Sequence, residues 1–236
     1  METITAAFVR QCLPRRDPEG HKGDFGKVLC ICGSVGYTGA PIFASRAAVR
    51  TGAGLVFLGV PQSVWPVVAV KSDEAMPFPL PETADGKLSL LAEEPIRRRA
   101  AGCDAVLLGC GLGRGRQTDA LVRRLMDLPQ PLVLDADGIN ALAGHMDEWE
   151  RRRGRVTVLT PHEGEFLRVG GDLSQGRTAA AEDFARRQLP HGGSLLSECG
   201  VRLAPRELAV QVLAHCDRRV EQFLAQGLPS LLPAYR

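Results

Sequence analysis

At 236 residues, 44% apolar and 24% charged, the chain has room for one good α/β core and the composition of a globular protein. A net charge of +2 argues against the strong basic footprint of a nucleic-acid binder, and no apolar run reaches the ~18 residues of a membrane span. The N-terminus has no charged-then-apolar leader pattern, so the expected location is cytoplasmic, where seven cysteines without Cys-x-x-Cys spacing read as reduced thiols.

Residues 1–20 read as a helix and a polar arm, LPRRDPEG. KVLCICG (27–33) is a strand with a glycine stop, and its Cys30 and Cys32 face the same side. APIFASRAAVRTGAG (40–54) has helical spacing and a glycine end, and LVFLGVP (55–61) is the next strand. SLLAEEPIRRRAAG (89–102) is helical, broken or started at Pro95. DAVLLGCGLG (104–113) is a strand opening into a glycine loop, and RQTDALVRRLMDL (116–128) is an amphipathic helix. PLVLDADGINAL (131–142) is strand, turn and helix start, and RVTVLTPHEGEFLRVGG (155–171) repeats that order. SQGRTAAAEDFARRQ (174–188) is a helix with Ser174 as N-cap. The arginine runs at 97–99 and 151–155 read as solvated helix ends.

Strands alternating with helices, each strand a continuous apolar run, are the signature of a parallel sheet covered on both faces. Right-handed crossovers put the loops after the strands on one edge, where ligands bind in open sheets. Four loops carry chemistry: GSVGYTGAP, GCGLGR, DADGIN and TPHEGE. The first has Gly33, Gly36 and Gly39, which is not a dinucleotide G-x-G-x-x-G, and no Walker lysine follows. It reads as a tight turn or as a ligand loop under a helix N-terminus, with Ala40 small enough for close backbone approach. Gly109, Gly111 and Gly113 again read as a turn or a ligand loop. Asp135 and Asp137, two apart, would share a face on an extended backbone, which suits Mg²⁺ or a polar substrate; Asp137 before Gly138 also suits a turn. His162 reads equally as a substrate contact or a capped loop histidine, and H-E-x-x-H is absent.

Taken together, HKGDFGKVLCICGSVGYTGAP, AAVRTGAGLV, LLGCGLGR, PLVLDADGINAL and VLTPHEGEF resemble the ADP- or ATP-dependent NAD(P)H-hydrate dehydratase family, found also as the C-terminal domain of bifunctional repair enzymes. The resemblance covers roughly residues 9–187 in the family's order; Cys110 stands where the family commonly has proline. It implies a three-layer α/β/α ribokinase-like fold with a mostly parallel central sheet. It also implies a reaction in which a nucleotide's terminal phosphoryl group passes to the hydroxyl of a hydrated nicotinamide ring. Phosphate then leaves, and NADH or NADPH returns. Carried over by position, the contacts to the substrate, NAD(P)HX, fall on Ala40, Gly111, Gly113 and His162; Asp135, Asn140 and Glu165 are separate candidates for polar or Mg²⁺-side contacts. ADP or ATP, Mg²⁺, no nucleic acid or membrane partner, and a homo-oligomer (a tetramer in the family) are further implications. So is the absence of the epimerase domain that some relatives carry.

The family continues with a Lys-Gly strand and a glycine-rich loop that supplies the anion hole and a catalytic aspartate. Residues 188–236 contain neither, and no lysine follows Lys87. The expected division is therefore an incomplete dehydratase domain over 1–187 and an atypical tail over 188–236. Two explanations of the tail compete: a diverged C-terminus folding as a long helix, or an out-of-frame translation of the family's own C-terminal half. One back-translation of Cys216 to Glu221, shifted forward one base, reads Ala-Thr-Ala-Gly-Ser, which resembles the anion-hole loop. Either way the C-terminal strands are expected to be missing, activity is in doubt, and an open sheet edge should lower solubility. The alternatives are a small-molecule kinase of the same fold and a substrate-binding pseudoenzyme.

Overall fold

A computed structural model describes residues 19–188. In chain order its main elements are β1 (Lys27–Ile31), α1 (Gly39–Arg50), β2 (Leu55–Pro61), α2 (Trp65–Lys71), β3 (Met76–Leu80), α3 (Glu93–Ala100) and β4 (Ala105–Leu108). There follow α4 (Arg116–Arg124), β5 (Leu132–Leu134), α5 (Asp137–Asn140), β6 (Thr157–Leu159), α6 (Glu163–Arg168) and α7 (Arg177–Gln188). The expected N-terminal helix and the tail, with its missing strands, lie outside the described residues. Among the described residues no helix is long and apolar enough to cross a membrane.

The six strands form one wholly parallel sheet in the order β3-β2-β1-β4-β5-β6. Register places Cys30 between Leu58 and Leu107, and Ile31 between Gly59 and Leu108. From β1 the chain steps outward through β2 to β3, with α1 and α2 on one face; it then returns to the far side of β1 and steps outward through β4, β5 and β6. The strand pleat sorts the core accordingly. Cys30, Cys32, Val56, Leu58 and Val60 pack with Ile42 of α1 and Val68 of α2. Leu29, Ile31, Val106, Leu108, Leu132 and Leu134 pack on the other face against Ile96, Leu121, Ile139, Phe166 and Phe184. Each fully buried Leu or Ile contributes about 2 kcal/mol by leaving water. This is the three-layer arrangement the sequence implies.

Local rules place the helices. In α4, Thr118, Leu121 and Val122 are buried at i, i+3 and i+4, one apolar stripe. Pro95 lies in the first turn of α3, where its missing N–H has no partner to lose. Glu93 and Glu94 open that helix and Arg97 to Arg99 close it, matching the helix dipole.

Three expectations need correction. The sequence reading assigned nothing between 62 and 88, yet α2 and β3 are there. β3 carries Pro77 and Pro79 and is tolerated because, among the described residues, it is an edge strand whose missing N–H groups face away from β2. Ser174 is not the cap of α7, which starts at Arg177; its hydroxyl and N–H bind the Asp172 carboxylate in a preceding turn. Arg152 is not solvated. It is 2% exposed, and its guanidinium donates to the carbonyls of Met126, Leu128, Gln130 and Val156 and to the Thr157 hydroxyl. The run at 97–99 is the solvated helix end expected, with Arg98 and Arg99 exposed; Arg97 pairs with Glu93 and Asp127, Arg98 with Glu94, and Arg99 lies over the Phe57 and Phe78 rings.

The HKGDFG stretch serves the opposite end of the sheet from the loops. A 3-10 turn, Lys22–Phe25, packs against Gly54, where any β-carbon would overlap the Lys22 carbonyl. The Gly54 N–H donates to the Phe25 and Gly26 carbonyls, and the Lys27 N–H donates to Asp104 Oδ2 at 2.7 Å. These bonds tie together the amino ends of β1, β2 and β4.

Candidate functional site

The strand order reverses between β1 and β4, because β1 connects leftward and β4 rightward. The loops leaving these two carboxyl ends diverge, and the gap between them is where open α/β sheets take ligands. The β1 and β4 loops are stitched across it. Gly33 N–H donates to the Cys110 carbonyl at 2.9 Å, and the buried Ser34 hydroxyl donates to the Gly111 carbonyl at 2.9 Å. Gly111 lies so close to α1 that a β-carbon there would stand 2.8 Å from Ala40 Cβ. Ala40 and Gly111 are therefore neighbours.

A hairpin closes one side. Glu82 bridges Leu88 in antiparallel fashion, Gly86 N–H donates to the Thr83 carbonyl, and Asp85-Gly86 forms the tip. Its carbonyl at Gly86 accepts the Val35 N–H at 3.0 Å. The Lys87 side chain extends over Gly113, with Cε 3.0 Å from where a β-carbon would stand, and its Nζ meets Asp85 Oδ2 at 2.7 Å.

The β5 loop closes the other side. Gly109 has φ +134°, and a β-carbon there would overlap the Asp135 carbonyl, so only glycine permits this approach. Asp137 Oδ2 accepts the Gly113 N–H at 2.9 Å, and Asp135 Oδ2 accepts the Cys110 thiol at 3.1 Å. Asp135 Oδ1 accepts the Thr160 hydroxyl at 2.7 Å, joining β5 to β6. Asn140 is buried, bonded to Asp137 Oδ1 at 3.4 Å and accepting from Arg168 of α6 at 2.8 Å. At the start of α6, Glu165 is 6% exposed and accepts the His162 N–H at 3.0 Å. His162 Nδ1 accepts the Gly164 N–H at 3.0 Å, and Nε2 lies 3.1 Å from Glu165 Oε1. This assigns the Nε2–H tautomer and makes the ring a helix cap, one of the two open readings. The ring still stays 64% exposed.

The predicted residues thus share one edge: Ala40 after β1, Gly111 and Gly113 after β4, Asp135 and Asn140 after β5, His162 and Glu165 after β6. The shared face of Asp135 and Asp137 does not occur. Ala136 between them has φ 48° and ψ −113°, a sparsely populated backbone state that turns the carboxylates to different partners. Among the described residues no three His, Cys, Asp or Glu side chains converge as a metal set, and the oxygens of both aspartates are engaged by protein donors. The described residues therefore do not fit a resident Mg²⁺ cage.

Sequence reasoning missed Lys87 and the clamp made by Asp137. The Asp85-Gly86 pair was a usable hairpin signal. Beneath the loops, burial pushes the Cys30 thiol up to about 12, with Cys110 and Cys103 adding to the effect. For Cys32 a hydrogen bond with Cys110, then burial, pushes the thiol well above the usual range. These are inert, neutral sulfhydryls. A cavity of about 20 Å³ between α1 and the α2–β3 link, lined by Ile42, Ser45, Val49 and Ala75, has room for about one water and lies away from this edge.

Comparison with known proteins agrees with this geometry. A ribokinase-like superfamily protein from Enterococcus faecalis superposes with a TM-score of 0.64 at 19% identity over 79% of this chain and 63% of its own, which shows the fold. The ADP/ATP-dependent NAD(P)H-hydrate dehydratase of Bacillus subtilis, crystallised with ATP and Mg²⁺, superposes at 0.58 with 30% identity over 78% and 62%. The bifunctional NAD(P)H-hydrate repair enzyme Nnr of Moorella thermoacetica is 43% identical over 188 residues, 78% of this chain and 35% of its own length. The ADP-dependent (S)-NAD(P)H-hydrate dehydratase of Xanthomonas campestris is 35% identical over 78% of this chain and 62% of its own. The chain thus spans about a third of the bifunctional relatives and about three fifths of the single-function one. The sequence model described as NAD(P)H-hydrate dehydratase matches residues 28–189, most of the chain, and with the parallel sheet and its stitched loops this places the protein in the NAD(P)H-hydrate dehydratase family.

Proposed function

We propose that this protein binds hydrated NADH or NADPH at the carboxyl edge of β1, β4, β5 and β6, for ADP- or ATP-dependent dehydration. The observation that supports the reading is the convergence of the β1, β4, β5 and β6 loops on one edge at the strand-order reversal, where open α/β sheets take ligands. Ala40 and Gly111 offer backbone to the substrate, Gly113 lies beneath Lys87 with its N–H held by Asp137, and the exposed ring of His162 borders the edge. Asp135, Asn140 and Glu165 bind protein groups and act as positioning residues rather than as metal ligands. ADP or ATP is the co-reactant, and Mg²⁺ enters with its phosphates, as suits an ion that keeps few protein ligands. The bound nucleotide supplies the phosphoryl group that turns the ring hydroxyl into a leaving group. The chain's part is to hold the ring and exclude water. A cytoplasmic homo-oligomer goes with this reading.

A second reading, binding without turnover, is favoured by the sequence of residues 188–236, which holds no Lys-Gly pair and no glycine loop ending in aspartate. Incubating the purified chain with hydrated NADPH, ADP and Mg²⁺ while following absorbance of the reduced ring separates the readings. Return of NADPH with release of phosphate supports dehydration. Binding without turnover supports the second reading, and a stable phosphorylated product would make the protein a small-molecule kinase.

A further inference from the structure

We propose that Lys87 is the phosphate-contacting cation of this edge, and that its ammonium exchanges an ion pair with Asp85 for the pyrophosphate of the dinucleotide; this rests on the dinucleotide reading above. The hairpin is anchored so that the lysine cannot drift far from the β4 loop. Glu82 Oε2 accepts the N–H and hydroxyl of Ser63 at 3.0 and 2.7 Å, the Leu88 carbonyl accepts the buried Thr118 hydroxyl at 2.9 Å, and Gly86 holds Val35. The aliphatic stem of Lys87 occupies the space a side chain at Gly113 would fill and runs on to Gly115, where a β-carbon would lie 3.7 Å from Cδ. A long cationic side chain placed this way keeps its stem covered and its charge at the rim.

The partner of that charge is weakly held. Lys87 is 26% exposed and Asp85 63% exposed, so their pairing is screened and open to competition. The loop beneath already presents carboxylates, Asp135 and Asp137, to its own N–H and thiol donors. An anionic ligand reaching this edge therefore needs a cation on the substrate side. Arg114 turns to Asp119 at 3.4 Å and Arg168 is taken by Asn140, while Arg116 is exposed at the first residue of α4 and lies over neither Gly113 nor Gly115 in the β-carbon contacts. Lys87 is the group whose release uncovers charge over Gly113 itself.

The test is equilibrium binding of NADH and of NADPH to the full chain, alongside Lys87→Met, Lys87→Arg and Asp85→Asn. Lys87→Met should weaken both ligands by about tenfold, the worth of a charge-assisted hydrogen bond, while its melting temperature stays near wild type. Lys87→Arg should restore affinity to within about threefold. Asp85→Asn should tighten both ligands, because the ammonium loses its competitor; a purely structural ion pair would not do this. Unchanged affinity in Lys87→Met, or a loss confined to NADPH, overturns the pyrophosphate assignment, the latter pointing to the 2′-phosphate. Wild-type protein that binds neither ligand overturns the dinucleotide reading itself, and this assignment with it.

Discussion

The backbone N–H of Gly113 and the carboxylate of Asp137 meet at 2.9 Å, tying the loop after β4 to the helix after β5. The bond is charge-assisted and partly shielded, so removing the acceptor strands a donor at the centre of the edge. Asp137→Ala should cost about 1–3 kcal/mol in urea unfolding and weaken NADH binding, whereas Asp137→Asn, which keeps an acceptor oxygen, should cost less. Equal melting of all three proteins would contradict this account.

Gly109 gives a sharper contrast. With φ +134° and the Asp135 carbonyl in the way, Gly109→Ala should destabilise by about 3 kcal/mol or more and sharply reduce soluble yield. Gly144 also has a positive φ but nothing within 4 Å, so Gly144→Ala should cost about 1 kcal/mol. Denaturant midpoints of the pair would show whether close approach or backbone conformation dominates.

Arg152 holds carbonyls from the segments before β5 and β6. Arg152→Met fills similar space but strands buried acceptors, and should lower stability by about 3 kcal/mol or more. Arg151→Met, whose arginine is about half exposed and paired with Glu148, should change it by less than about 1 kcal/mol. Thermal melts of the two variants, side by side, measure the difference.

Alkaline titration should expose the buried thiols. The Cys30 thiol is pushed up to about 12 from an ordinary 9.0, chiefly by burial, so the folded chain keeps a proton that the unfolded chain releases. Its contribution is intact below about pH 9 and is lost as pH rises from there to about 12. Wild type should lose about 1.4 kcal/mol more per pH unit across that window than Cys30→Val. Parallel slopes for the two proteins would refute the assignment.

Much of this was legible from residue patterns. The apolar runs of β1, β2 and β4 are long enough to admit one reading, and Cys30 and Cys32 reach the same core cluster because the pleat alternates strictly. β3 was hidden because two prolines demote a strand unless its position in the sheet is known, and edge position is a tertiary fact. The loops were found, but not their internal logic. Asp135 and Asp137 looked like a pair because extended geometry was assumed, and only the twisted backbone of Ala136 separates them. HKGDFG pointed to the right family yet braces the end of the sheet remote from the glycine loops, so a stretch can identify a fold without touching a ligand.

The reversal of strand order at β1 has one more consequence. Because neighbouring connections depart in opposite directions, the place of the ligand edge is set by the strand order, and the bonds from Gly33 and Ser34 to the β4 loop hold its floor. Ligand-free and ligand-filled forms should superimpose closely, and capture should be limited by diffusional encounter, leaving residence time as the quantity that single substitutions tune.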